Sequence, residues 1–256
     1  MEASWNEVLE QPALGDHIVQ IYQDTDFLSE AVAHYLSLGL KAGEAAIVVA
    51  RPEHWEVFAT ALAAQGIDAA QRMQSAQLRV LDAESTLGLF MRGGMPDWTS
   101  FHRAVGGEIA ELRLRHPSVR AYGEMVDILW QGGERDAAIR LEEHWNELAR
   151  LQTFSLFCAY RMDPLDAELY GGALQRVCGV HSHLIPARDT RRFNDTVAQA
   201  TRKVLGWPLS EVLGGGAGAP LFGAQMPSGQ AALLWMHKHM PLTARKILAE
   251  AKARTA

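Results

Sequence analysis

Apolar positions over the first 186 residues fall into short continuous runs separated by stretches of helical periodicity. The runs His17–Tyr22 (HIVQIY), Ala45–Ala50 (AAIVVA), 78–81 (LRVL), 119–122 (VRAY) and 154–160 (FSLFCAY) have strand length and are rich in β-branched and aromatic residues. Helices are expected between them over 26–41, 53–65, 99–115 and 134–151, with a further one over 165–180. Boundary signals agree: Pro52 opens one helix, Gly66 closes it, and Gly132-Gly133 precede the acidic turn Glu134-Arg135-Asp136. Strands alternating with crossovers of this length predict an α/β fold, with a mainly parallel sheet and helices on both faces.

Beyond Pro186 the rhythm stops. A helix is expected over 190–206, then Trp207-Pro208, a glycine-rich loop over 214–220, and a second helical pair broken at Met240-Pro241. Met240, Ala244, Ile247, Leu248 and Ala251 share one face of the last helix, with Arg245, Lys246, Lys252 and Arg254 outside it. Two parts are therefore expected: an α/β domain over 1–186 and a basic helical C-terminal extension over 187–256 with a flexible linker at 214–220.

Charge sharpens that boundary. The 256 residues carry a net charge of −6, which alone argues against a nucleic-acid binder. Residues 1–186, however, hold 14 Lys+Arg against 26 Asp+Glu, and residues 187–256 hold 10 against 4. An acidic body of −12 thus precedes a basic tail of +6, and nucleic acid stays open for residues 187–256 alone. Two cysteines, Cys158 and Cys178, make no disulfide framework and fit a reducing cytoplasm. No signal peptide or membrane-length apolar run is visible, so a cytoplasmic protein without a membrane partner is expected.

Catalytic patterns are missing. The glycine-rich loop lacks the Lys-Ser/Thr of a phosphate loop, no Gly-x-Ser-x-Gly elbow occurs, and Cys158 lies in an apolar strand that would raise its pKa. His181-Ser182-His183 and His237-Lys238-His239 are His-x-His pairs, with Cys178 three residues before His181. A capped helix end and a solvated basic face explain them more simply than a metal does. The expectation is no catalytic residue, no metal and no cofactor.

Ligands of parallel sheets bind at the carboxyl ends of the strands. Those ends offer Tyr22, Asp24, Arg51, His54, Asp82, Glu124 and Tyr160, with Gly123 allowing close backbone approach beside Glu124. On helix 134–151, Leu141, Trp145 and Leu148 form an apolar stripe, and Glu142 and Asn146 lie four apart on the adjoining face, where they could line a pocket.

The segment 119–130 (VRAYGEMVDILW) resembles the RxYGEMVxxLW block of the MEDS domain, the methanogen/methylotroph DcmR-type sensory domain. The segment 138–146 (AIRLEEHWN) is similar to that family's AIxLExxWN block, with supporting pieces at 17–24, 38–44, 157–160 and 177–181. The resemblance implies a RecA/KaiC-like core without a Walker A loop, and a regulatory role in sensing a small, hydrocarbon-derived molecule. It marks Glu124, Trp130, Glu142, Trp145 and Asn146 as motif positions. The family's founding regulator carries an N-terminal DNA-binding module, and none is expected ahead of residue 15 here.

Together these features predict a non-enzymatic, signal-sensing regulatory protein that binds a small ligand at the strand ends and relays it to a partner or to the transcription machinery. Two alternatives stand beside it. One is a DNA-binding regulator acting through the basic tail. The other is a degenerate ATPase-like module for protein interaction or dimerisation, its tail packing on the body or on a second copy.

Overall fold

The computed structural model describes residues 5–212 and 224–255. Eight strands are formed among the described residues: β1 (His17–Tyr22), β2 (Ala45–Ala50), β3 (Leu78–Asp82), β4 (Met91–Arg92), β5 (Met95–Pro96), β6 (Val119–Gly123), β7 (Ser155–Arg161) and β8 (His183–Ile185). Six make one all-parallel sheet in the order β3-β2-β6-β7-β1-β8, and β4 and β5 form a small antiparallel hairpin. The expected α/β class is thus observed. β1 and β2 are buried along their whole length, as strands covered on both faces must be.

The pleat divides the core. Val19, Ile21, Leu156, Cys158 and Tyr160 face one cluster, which includes Leu141, Trp145 and Leu148 of helix Arg135–Leu151. Ile18, Tyr22, Phe157 and Ala159 face the other, beneath helices Thr25–Lys41 and Pro52–Ala64. Asp24 starts the first of these helices by accepting the Asp26 and Phe27 amides, and Asp82 starts helix Ala83–Phe90 by accepting that of Ser85.

Three expectations are corrected. The helix expected over 99–115 is observed as helix Trp98–Phe101, a π-helical turn His102–Gly106 and helix Gly107–Arg113. The Gln152 side-chain amide donates to the Gly106 carbonyl at 3.0 Å at the junction, and such an intrusion accompanies breaks in the regular ladder. The helix expected over 165–180 begins only at Ala173, because Gly172 before it has φ +108°, a left-handed conformation that an α-helix cannot contain. Finally, β8 extends the sheet beyond β1, and its His183 also bridges to Gln225.

Helices Thr190–Leu205, Ser228–His239 and Pro241–Thr255 pack on one another. Phe193, Val197, Leu233, Ile247 and Leu248 join the same apolar cluster as Leu174, Val177 and Leu184 of the body. Ala244, Ile247, Leu248 and Ala251 are buried, as their spacing predicts. Lys252 reaches Asp163 at 2.6 Å and Arg188 reaches Glu30 at 3.4 Å, joining basic tail to acidic body. The expected linker at 214–220 lies outside the described residues.

Candidate functional site

Two polar groups stand out, at opposite ends of the sheet. The first is at the carboxyl ends of β2 and β6, where the chain leaves the sheet in opposite directions, toward β3 from one strand and toward β7 from the other. Glu124, directly after β6, is 1% exposed. Its carboxylate accepts from the Arg51 amide, faces His54 Nδ1 at 2.6 Å and accepts from the Tyr122 hydroxyl at 3.3 Å. Asp127, equally buried, receives the Arg161 amide at 2.9 Å and the Gln131 amide at 3.0 Å, and lies 3.4 Å from Arg51 Nη2. Burial pushes the Tyr22 hydroxyl well above its usual pKa, and the Asp127 and Glu124 carboxylates push it further. This is a tightly bonded network in which each carboxylate is met by several donors.

The other predicted strand-end residues are dispersed. Asp24 and Asp82 serve as helix caps, and Trp130 sits edge-on to Tyr160 with Arg135 over its ring. Trp145 is a fully buried core residue, edge-on to Phe101 and Phe154 and close against Gly123, where an added Cβ would lie 3.4 Å from its ring.

The second group contains Glu142, Asn146 and Tyr160, brought together with His17, Cys158 and His181. It lies on the sheet face covered by helix Arg135–Leu151, toward the amino end of β1. Glu142 is fully buried. Its Oε1 accepts from the Tyr160 hydroxyl at 2.7 Å and lies 3.3 Å from His181 Nε2. Its Oε2 lies 3.1 Å from His17 Nε2 and 3.6 Å from Cys158 Sγ, and His17 Nε2 is 3.3 Å from that sulfur.

Backbone carbonyls set the orientation of both rings. Asn146 Nδ2 donates to the Val180 carbonyl at 2.7 Å, so its Oδ1 is the atom that faces His17 Nδ1 at 3.0 Å and accepts from it. The Val177 carbonyl takes the His181 Nδ1 proton at 2.7 Å. Each imidazole therefore turns Nε2 inward, the nitrogen that is left as an acceptor when the ring is neutral, and that of His181 is buried without a hydrogen-bond partner.

Burial and the neighbouring His181 push His17 toward its neutral form, against the pull of Glu142. Burial also opposes ionisation of Glu142, but His181 and His17 more than offset it and hold the carboxyl below its ordinary range. Burial, reinforced by Glu142, raises the Cys158 thiol and the Tyr160 hydroxyl well above theirs. The four donor atoms of His17, Glu142, Cys158 and His181 lie within 4.8 Å of one another, so these residues could hold a metal ion. A cleft of about 610 Å³, lined by Gly15, His17, Asn146, Val180, His181 and Ser182 among others, reaches the group from solvent.

Sequence spacing finds Glu142, Asn146 and Tyr160 but not His17, Cys158 or His181. His181 is visible there only as half of the His181-Ser182-His183 pair that closes VCGVH, Cys158 only as a thiol in an apolar strand, and His17 only as a histidine opening one. His183, the other half of the His-x-His pair, turns to Ser182 Oγ at 3.0 Å, and burial leaves Cys178 apart as a thiol pushed up to about 12.

No helix among the described residues is long and apolar enough to cross a membrane. No curated protein matches the sequence with significance. Residues 16–182 match the family described as MEDS, the MEthanogen/methylotroph, DcmR Sensory domain; this span is well over half of the chain and contains both polar groups, so the chain belongs to the MEDS family.

Proposed function

We propose that this protein is a non-enzymatic cytoplasmic sensor that takes a small organic ligand at the carboxyl ends of its strands and passes the binding event to its C-terminal helices. The observation that carries the reading is a cleft of about 530 Å³ built from both parts. Gln23 follows β1 and Leu165 follows β7, Arg188 and Phe193 follow β8, and Lys252 and Thr255 come from the last helix. Pro164, Leu165, Ala187 and Phe193 offer an apolar wall, and Arg188, Arg192 and Lys252 with Asp163 and Asp189 a charged rim. That lining suits a small molecule with a short hydrocarbon body and a polar or acidic group.

A ligand acts only through its differential affinity for two states. Here the two states would be the terminal helix docked, with Lys252 on Asp163, and the same helix loosened. The released or rearranged helices would then meet a protein partner, a second copy or the transcription machinery.

Backbone hydrogen exchange tests this. Short-chain alcohols, amines, carboxylates and halocarbons are titrated singly while protection is followed over Thr190–Leu205 and Pro241–Thr255. At least one should change protection there saturably, and Thr196→Trp, which fills the cleft, should abolish the response. Unchanged protection with every class defeats the reading.

A further inference from the structure

The geometry points to a second site, distinct from that cleft: His17, Glu142, Cys158 and His181 bind one divalent transition-metal ion of the zinc type in the buried core. Three observations carry it.

The first is the chemistry of the atoms that converge. With both Nδ1 positions committed to Asn146 Oδ1 and the Val177 carbonyl, the inward-facing atoms are two imidazole lone pairs, a carboxylate and a sulfur. With both rings neutral, the donors that face the carboxylate among the described residues are the Tyr160 hydroxyl and the Cys158 thiol. His17 Nε2 and Glu142 Oε2 face each other at 3.1 Å, and with the ring neutral both are acceptors with no proton between them. Buried lone pairs opposed in this way are costly unless a cation lies among them.

The second is spacing. Four donors around a tetrahedral ion with bonds near 2.0–2.3 Å are separated by about 3.3–3.8 Å. The pairs among His17 Nε2, Glu142 Oε2 and Cys158 Sγ, at 3.1, 3.3 and 3.6 Å, fall close to that range, His181 Nε2 lies 3.3 Å from the other carboxylate oxygen, and one donor atom from each of the four residues lies within 4.8 Å of the rest. Mixed imidazole, thiolate and carboxylate donors suit zinc and its first-row neighbours rather than magnesium or calcium.

The third is the support behind the donors. Asn146 and the Val177 carbonyl hold the far ring nitrogens, and Tyr160 holds the carboxylate, which is how metal-bound imidazoles and carboxylates are oriented elsewhere. Binding replaces the Cys158 proton by the metal, and the proton leaves to solvent by way of the cleft beside His17 and His181.

The ion would tie four separate elements together: the start of β1, helix Arg135–Leu151, the middle of β7 and the residue after helix Ala173–Val180. His181 is two residues from β8, so the same ion would also fix the segment leading to the C-terminal helices.

The full chain without a polyhistidine tag is stripped with a chelator, and the apoprotein is titrated with Zn²⁺ and, separately, Co²⁺. Zinc should bind at one equivalent per chain. Cobalt should give intense tetrahedral visible bands with a thiolate-to-metal charge-transfer band. Cys158→Ser should remove the charge-transfer band, and Asn146→Ala should weaken zinc binding by about ten- to a hundredfold while leaving all four ligands in place. The pair His237→Ala/His239→Ala should change nothing, which separates the site from adventitious binding at that His-x-His pair. Absence of the sulfur band from wild-type protein overturns the proposal whatever the variants do, as does zinc affinity unchanged in Cys158→Ser/His181→Ala.

Discussion

The Tyr160 hydroxyl donates to Glu142 Oε1 at 2.7 Å with both residues wholly buried, so a strand of the sheet and the helix above it share one charged hydrogen bond. A bond to an ionised acceptor contributes about 1.5–3 kcal/mol when its donor is deleted without other change. Tyr160→Phe deletes only the hydroxyl and should lower the free energy of urea unfolding by about that amount at an unchanged m-value. A loss below about 0.5 kcal/mol would mean that Glu142 is satisfied by its other neighbours.

Gly39 predicts a reversal of an ordinary preference. In mid-helix, Gly to Ala normally stabilises by about 0.5–1 kcal/mol. Here an added Cβ would lie 2.5 Å from Arg120 Cδ and 2.7 Å from Glu44 Oε2. Those atoms belong to an ion pair of buried Arg120 with partly exposed Glu44, in which Arg120 also donates to the Leu9, Glu10 and Tyr35 carbonyls. Gly39→Ala should therefore destabilise by about 1–3 kcal/mol. Combined with Arg120→Met, itself costing about 3 kcal/mol or more, the same change should become neutral or stabilising. Denaturant curves for the four proteins of this cycle check it.

Glu124→Gln should cost about 2 kcal/mol, because the amide cannot accept from both the Arg51 amide and the Tyr122 hydroxyl while facing His54. Urea unfolding of the variant measures it. Full retention of stability would show that these donors re-pair without the charge.

Docking of the last helix should depend on pH at both extremes. The Glu250 carboxyl lies below its ordinary value because the Lys203 ammonium bonds to it, with the Lys203 and Arg254 charges adding to the effect. A depressed acid contributes stability that is complete above its unfolded pKa and lost as pH falls through the lower folded value. Lys252 lies above its ordinary value through its bond to Asp163, so its contribution is complete below the unfolded pKa and lost as pH rises through the higher folded value. Protection of Pro241–Thr255 from proteolysis should hold constant across the neutral range and fall as the pH drops below the ordinary carboxylate range, with added salt reducing it at neutral pH. Equal protection at neutral and acid pH would exclude these pairs as the latch.

The six-residue runs at His17–Tyr22 and Ala45–Ala50 and the long amphipathic helix Arg135–Leu151 were legible in the sequence because burial on one stripe, or on both faces of a strand, leaves a local periodic pattern. Helix Met125–Gln131 and the three-residue β8 were not, being too short for a period to develop. The π-helical turn at His102–Gly106 is bonded by Gln152, about fifty residues away in sequence, a contact that no local rule could reveal. The polar groups divide in the same manner. Glu142 and Asn146 share a helix face and could be paired from spacing alone. His17, Cys158 and His181 meet them only because β1 and β7 are neighbours with Val19 opposite Cys158, a register set by the whole sheet.

The parallel edge strand β8 carries a practical consequence for use of the sensory core as a portable module. The family match ends at residue 182, whereas the sheet continues through Ile185 and is bridged there to Gln225. A fusion joint cut at the family boundary would strip β1 of its outer neighbour. The amides and carbonyls of Ile18–Gln20 that β8 covers would become an open template for other chains. Chimaeras that keep residues through the 225 segment should stay dispersed, and those ending at 182 should aggregate before any signalling output can be read from them.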